Sequence, residues 1–448
     1  MKTILVKEIV EHLDATLYGS AEASFDAVFI DSRIATENAL FIGINGEHFN
    51  GNEHYMDAFR NGASVAVVEE VEIGEIPKGK AVLKVKSTYR AILDLAYYYR
   101  KMLDLKIIGI TGSTGKTSTK DILHGMLSKK YKVFKTSGNY NNELGLPLMI
   151  FSLDETYDYA ILEMGMSAPL EIHNLARVAQ PDIALITNIG LSHIEFLGSQ
   201  ENILKAKMEI TDFFEEDSLL VLNGDDEYLR NIGDKSYRVV YGGLSRGDYI
   251  ARNISVAEDY VEFTVNRNKE IIRLDIPGKH NVQNGILCYI VAKELGIKDE
   301  DLSHVSILKS SMRMDVIRLD QLTIINDCYN ANPDSTKAAI DYLANFEGRK
   351  VAVIGTMKEL GEESLVAHES VAYYAKTREI DLFIAIGEYM KEMIAVYGEG
   401  AVGFSTFEEA EKNIGKYLKR ADVVLIKASR GMYFERFIPV LEQFGGKR

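Results

Sequence analysis

Tryptophan is absent from this chain, and only two cysteines and seven prolines occur in its 448 residues. Cys288 and Cys328 cannot frame a disulfide scaffold at this length, and neither stands at metal-ligand spacing. No apolar run reaches the roughly 18 residues that a membrane-spanning helix needs. The opening Met1-Lys2-Thr3-Ile4-Leu5-Val6 lacks the apolar core and small-residue cleavage site of a secretory leader. A soluble, cytoplasmic chain without membrane insertion is therefore expected. Positive charge is also short: 51 Lys and Arg against 66 Asp and Glu leave a formal charge of −15. That sign disfavours a nucleic-acid partner, which selects for a basic face.

What is present is a strong alternation of strand-like and helix-like segments. A chain of this length exceeds one ordinary core, so more than one domain is expected. The alternation is organised around residues 106–118. A β-branched run (Ile107, Ile108, Ile110) breaks into a Gly-punctuated loop, and an amphipathic helical pattern follows from Lys116. Strand, loop and helix in that order aim backbone N–H groups and a helix N-terminus at an anion. The full phosphate-loop pattern needs a Gly five residues before Gly115, and Ile110 stands there. The chain carries the shorter Gly112-Ser113-Thr114-Gly115-Lys116-Thr117-Ser118.

Residues 1–84 mix short elements: a helix near 7–13 and strands near 25–30, 39–44 and 65–68. Asp31-Ser32-Arg33 follows a strand directly, either as a ligand contact or as a charged turn. A helix over 87–103 can be capped by Ser87 or Thr88. Strands are then expected at 106–111, 132–136, 158–164, 182–188 and 218–223. Helices are expected near 116–128, 142–152, 170–178 and 200–214. This predicts a mostly parallel sheet with its loop-bearing strand ends on one edge. Period-two alternation over 260–265 and 270–276, around Asn266-Arg-Asn-Lys269, predicts an appended antiparallel hairpin. Gly278-Lys-His-Asn281 opens a helix to about Leu295, and a polar helix is expected over 299–308. Strands at 323–328, 350–355, 381–386, 402–405 and 422–427 alternate with helices near 333–346, 364–378, 407–419 and 434–443. The expected architecture is thus α/β in three domains: 1–84, small and mixed; 85–309, a doubly wound phosphate-loop domain with the hairpin; and 310–448, Rossmann-like.

A phosphate loop needs partners at other strand ends. Glu163 closes an apolar strand, where a Mg²⁺ ligand belongs. His193 follows the strand at 182–188, as a ligand or as a surface histidine. Lys205 and Lys207 point to different faces of one helix, and spacing leaves open which faces the site. Pro333 at a first helical position explains Asn332 as a cap. It does not explain Asp327, Tyr329 and Asn330, which sit at a strand end. No Ser/His/Asp or Cys/His set is present to supply an enzyme nucleophile.

With these residues together, the chain resembles the Mur ligases, ATP-dependent enzymes that build the cytoplasmic peptidoglycan precursor. The shortened Gly112-x-x-Gly115-Lys116-Thr117 is that family's form of the loop, and the resemblance spans the whole length. It is strongest toward the branch that adds D-alanyl-D-alanine. Asn139-Tyr-Asn-Asn-Glu-Leu-Gly-Leu-Pro147, Gly165-Met166 and Asp327-Cys-Tyr-Asn-Ala-Asn-Pro-Asp-Ser335 carry it.

The resemblance implies ATP and Mg²⁺ as cofactors, with UDP-N-acetylmuramoyl-tripeptide and D-alanyl-D-alanine as partners; a monomer is expected. It implies that Lys116 and Thr117 hold the terminal phosphates and that Thr117, Glu163 and His193 ligate magnesium. Lys207 matches the carbamylated lysine. Asn281 and Asp327 would hold the adenosine part, and Arg313 would reach the γ-phosphate. Asp31, Ser32 and Arg33 match the uridine-side motif, while Asn142, Tyr329 and Asn330 are expected substrate contacts. Three motifs depart from the family: Asn50-Gly51-Asn52, Gly355-Thr356-Met357 and Lys427-Ala428-Ser429-Arg430 stand where Asp-Gly-His, Gly-Asp-Met and Lys-Gly-Ser-Arg are usual. The alternatives are a sister Mur ligase, a folylpolyglutamate-type ligase, or a nucleotide switch without ligase chemistry.

Overall fold

The computed structural model describes residues 1–46, 49–266 and 269–446. The chain packs as two compact units. One comprises Met1–Gly109, Tyr131–Ala184 and Met208–Ser218; the other comprises Ile110–Lys130, Leu185–Lys207 and Leu219–Arg448.

In the first unit, a five-stranded sheet runs in the order Thr16–Gly19, Ala81–Lys84, Val65–Val68, Ala39–Ile42, Ala27–Phe29. Its last four strands are parallel, and Thr16–Gly19 pairs antiparallel. Ala39–Ile42 and Val65–Val68 are buried throughout, as the apolar runs of strands covered on both faces require. Phe41, Tyr55, Phe59 and Val68 fill the core beside it. The helix Thr88–Lys101 begins where expected, because the Ser87 side chain accepts from the Arg90 N–H. Its Tyr99 is fully buried and donates its hydroxyl proton to the Leu153 carbonyl at 2.7 Å, a packing role.

A nine-stranded sheet has the order Val133–Lys135, Tyr159–Glu163, Lys106–Thr111, Ile183–Ile186, Leu219–Asn223, Arg238–Gly243, Tyr249–Val256, Val261–Val265, Ile272–Leu274. The appended hairpin is present: Val261 pairs with Leu274 and Phe263 with Ile272, antiparallel. Tyr249–Val256 adds a further antiparallel partner. Arg267 and Asn268 of the expected turn lie outside the described residues.

A six-stranded sheet in the second unit runs Asp315–Arg318, Leu322–Asn326, Asp422–Lys427, Lys350–Gly355, Leu382–Ile386, Ala401–Phe404. All its pairs are parallel except the antiparallel first. Apolar clusters cover both of its faces.

Several sequence expectations are corrected. The helix expected over 299–308 is only a short 3-10 turn, Glu300–Leu302. Val305 instead extends along the strand Ile272–Leu274, donating its N–H to the Arg273 carbonyl at 2.8 Å, so Val305 is buried by an extended path while Leu302 is buried from the turn. The helix expected over 142–152 starts at Gly145, whose N–H is taken by the Asn142 side chain at 2.8 Å. The helices expected over 200–214 and 407–419 tighten into 3-10 turns after Met208 and Asn413. The strands Thr16–Gly19, Ala81–Lys84 and Asp315–Arg318 and the helices Tyr55–Arg60 and Met390–Tyr397 are additional.

Candidate active site

The phosphate loop is built by the end of the strand Lys106–Thr111 and the start of the helix Lys116–Leu127. Its two glycines are required. A Cβ on Gly112 would lie 1.8 Å from the Thr187 hydroxyl, and Gly115 adopts a left-handed φ of 79° as the N-cap. No side chain caps this helix, which leaves its N-terminus to an anion.

The loop is held by the segment that follows Ile183–Ile186. Ser113 N–H donates to the Asn188 carbonyl at 3.0 Å, and Thr114 N–H to the Asn188 side chain at 2.9 Å. Gly190 N–H donates to the Ser113 hydroxyl at 2.9 Å, and the Ser192 hydroxyl to the Ser113 carbonyl at 3.1 Å. Lys116 Nζ reaches back to the Gly112 carbonyl at 2.8 Å. Thr117 is buried, and Ser118 is half-buried behind it. Thr187 and Asn188 are functional supports that motif reading missed. Their only sequence signal is a polar pair closing an apolar strand.

The lysine alternative is decided by burial. Lys207 on the helix Gln200–Met208 is 1% exposed, whereas Lys205 faces solvent. Burial first, then the charge of Lys116, holds the Lys207 amine well below the ordinary lysine range. No ion pair with an acidic group forms at Lys207 among the described residues.

His193 caps the short helix Ile194–Leu197 with a left-handed φ of 64°. Its Nδ1 lies 2.7 Å from the Glu359 carboxylate, and this contact draws the Glu359 pKa below its usual value.

A second group of residues lies at the end of the strand Leu322–Asn326. Asp327 accepts from Lys427 Nζ at 2.5 Å and from the Met314 N–H at 3.2 Å, and Lys427 is almost wholly buried. Lys427 also donates to the Asn330 carbonyl at 2.9 Å. Arg313 lies over the Tyr329 ring, 4.0 Å from its centroid. Asn281, inside the first turn of the helix His280–Glu294, donates to the Pro277 carbonyl at 2.6 Å and accepts from Asn284. The same helix connects to this group through its first residue: burial lowers the His280 pKa, and Asp327 and Lys427 act on it with opposite signs.

Other expected residues lie in the first unit. Glu163 ends its strand buried; its N–H donates to the Thr136 hydroxyl at 3.0 Å and its carboxylate accepts from Asn141 at 2.9 Å. Asp31 binds the Arg33 guanidinium through Nε at 2.9 Å and Nη2 at 2.7 Å. Arg33 N–H also donates to that carboxylate, and Ser32 is buried between them. The departure Asn50-Gly51-Asn52 has a local role. Asn52 is 1% exposed, donates to Asn45 at 2.7 Å and accepts from the Glu69 N–H at 2.8 Å.

Among the described residues no group of three or more His, Cys, Asp or Glu could hold a metal ion. Such a donor set fits a magnesium ion that arrives with phosphate oxygens, because Mg²⁺ keeps waters and takes few protein ligands.

A family model for the Mur ligase middle domain matches residues 110–292, and one for the Mur ligase glutamate ligase domain matches residues 312–430. The UDP-N-acetylmuramoyl-tripeptide–D-alanyl-D-alanine ligase of Bacillus subtilis is 36% identical over 449 residues, covering 97% of each chain. This chain belongs to the Mur ligase family. The structure of MurF from Acinetobacter baumannii superposes with a TM-score of 0.91 at 28% identity, covering 99% of both chains. MurF from Thermotoga maritima, solved with ADP, gives 0.83 at 30% identity, covering 93% of this chain and 97% of that one. Within the Mur ligase frame, the phosphate loop, His193, Lys207 and Asn281 fall in the middle-domain match. Arg313, Asp327, Tyr329 and Asn330 fall in the C-terminal match.

Proposed function

We propose that this Mur ligase chain joins D-alanyl-D-alanine to UDP-N-acetylmuramoyl-tripeptide in the cytoplasm, as a monomer, at the expense of ATP. A carboxylate is a poor acyl electrophile. The γ-phosphoryl group of ATP is transferred to the terminal peptide carboxylate, giving an acyl phosphate and ADP. The free amine of the dipeptide then attacks the acyl carbon. The tetrahedral adduct collapses with loss of inorganic phosphate and a proton, leaving the amide. No enzyme nucleophile takes part.

Lys116 and Arg313 neutralise phosphate oxygens that gain charge during transfer. The loop amides from Gly112 to Ser118 orient the phosphates, while Asn281 and Asp327 hold the adenosine part. Bound magnesium would supply further charge neutralisation, with Thr117, Glu163, His193 and carbamylated Lys207 as its protein ligands. Carbon dioxide adds only to a neutral amine, which the burial of Lys207 beside Lys116 favours. Asp31, Ser32 and Arg33 are assigned to the nucleotide-sugar side, and Asn142, Tyr329 and Asn330 to the peptide substrates. The functional domains are taken as 1–84, 85–309 and 310–448.

The observation that carries this reading is the shortened phosphate loop with the fully buried Lys207 close enough to feel the charge of Lys116. Phosphate release with UDP-N-acetylmuramoyl-tripeptide and ATP is expected with D-alanyl-D-alanine and not with single amino acids. Equal release with a single amino acid would indicate a sister activity, and nucleotide binding without amine-dependent release would indicate a switch. Lys116→Ala is expected to lower ligation at least about 10²-fold, the scale of removing one preorganised electrostatic group.

A further inference from the structure

His193 Nδ1 lies 2.7 Å from the carboxylate of Glu359, a side chain that motif reading did not single out, at ion-pair distance but without the alignment of a hydrogen bond. Glu359 follows the strand Lys350–Gly355 and has a left-handed φ of 65°, matching the left-handed φ of 64° at His193. Two non-glycine residues in that region, facing each other, indicate that the surrounding contacts determine both backbones. Those contacts are specific. Met357 N–H donates to His368 Nε2 at 2.8 Å, and His368 Nδ1–H donates to the Ser364 carbonyl at 2.6 Å. Lys358 N–H donates to the Ser429 hydroxyl at 2.8 Å. The two residues that lead into Glu359 are thereby pinned.

The segment carrying His193 is docked against the same body. Asn332 donates to the Ser192 hydroxyl at 2.6 Å, and Leu191 and Ile194 pack against the apolar cluster beneath the six-stranded sheet. Glu195 N–H approaches the Glu359 carbonyl at 3.4 Å. The 2.7 Å approach of His193 Nδ1 to the Glu359 carboxylate therefore joins two segments whose backbones are already set.

An ionised carboxylate only accepts, and two lone pairs 2.7 Å apart would repel, so this contact favours the neutral-ring tautomer with its proton on Nδ1 and its lone pair on Nε2. That is the tautomer a metal-ligating imidazole needs, and a carboxylate on the second nitrogen is the usual means of fixing it. We infer that Glu359 is a positioning residue that fixes the tautomer and ring direction of His193. Divalent-ion affinity at the phosphate loop thus depends on the 356–361 segment docking against residues 191–195. This rests on the proposed reading of His193 as a magnesium ligand.

The test uses the full-length chain and the variants H193A, E359A, E359Q and E362Q. Glu362 is an exposed neighbour of the same sign and serves as the control. In metal-free protein labelled with ¹⁵N-histidine, the His193 signal, identified by its loss in H193A, is expected as the Nδ1–H tautomer. E359A should move it toward Nε2–H, and E359Q, which keeps a carbonyl acceptor, should largely preserve it. Mn²⁺ binding with ADP, followed by electron paramagnetic resonance, is expected to weaken about 10- to 100-fold in H193A and E359A. E359Q should lose less, and E362Q nothing. If H193A weakens Mn²⁺ binding while E359A changes neither the tautomer nor the affinity, the inference about Glu359 is overturned and the ligand reading stands. If H193A leaves Mn²⁺ binding intact, the ligand reading fails and takes this inference with it.

Discussion

Lys205 and Lys207 stand two positions apart on one helix, and their burial differs sharply. Lys205 faces water, whereas Lys207 sits in a site that disfavours its charged form. Lys207→Ala is expected to reduce ligation about 10²-fold or more, with partial recovery on adding short-chain carboxylic acids. Lys205→Ala should be near wild type and insensitive to those acids; the reverse pattern would show that the other lysine is modified. At Asp31 the Arg33 side chain, then its N–H, lowers the carboxyl pKa from 3.8 to about 2. The sign follows from the depressed value. Whatever stability the pair contributes is present above the unfolded pKa and is lost as pH falls from there through about 2. A carboxyl-carbon NMR titration should find Asp31 near that value, and Arg33→Ala should return it toward the ordinary carboxylate range. The pair lies at the surface, so its effect on global stability should be small.

Among elements, the strand Asp422–Lys427 shows how a sheet can carry a site residue. All six of its positions are buried, and its last one, Lys427, ends against Asp327 of the neighbouring strand end. Removing one partner of such a pair leaves an uncompensated buried charge. Lys427→Met is expected to cost about 3–5 kcal/mol in chemical unfolding. A second change, Asp327→Asn, should restore part of that loss, although it removes a group assigned to ATP. Helix limits behave differently. The start at Thr88 could be read from the Ser87 cap because a cap is a local signal. The late start at Gly145 could not, because Asn142 spends its side chain on a turn N–H and thereby delays the helix.

For the whole molecule, the chain segment leading into the six-stranded sheet is tied down by the phosphate-loop helix. Buried Asp121 accepts the Ser310 N–H at 2.8 Å. Ser310 is where the sequence pattern places the boundary of the last domain. Asp121→Ala leaves that N–H without its acceptor, a local cost of about 1–3 kcal/mol. Limited proteolysis within 303–314 is expected to speed up, with little change elsewhere; unchanged cleavage would remove Asp121 as the anchor.

The sequence by itself determined the strand–helix alternation, the shortened phosphate loop, the hairpin and the Asn332 cap before Pro333, because each is set by neighbours within a few residues. It also placed Glu163 and Asp327 at strand ends, since polar residues closing apolar runs mark those positions. Only the tertiary structure decided which lysine is buried, that Thr187 and Asn188 hold the loop, that Lys427 holds Asp327, and that Glu359 meets His193. It also turned the helix expected over 299–308 into an extended path along Ile272–Leu274. These outcomes depend on burial and on partners distant in sequence, and neither the pattern nor the spacing of a single chain encodes which distant side chain will arrive.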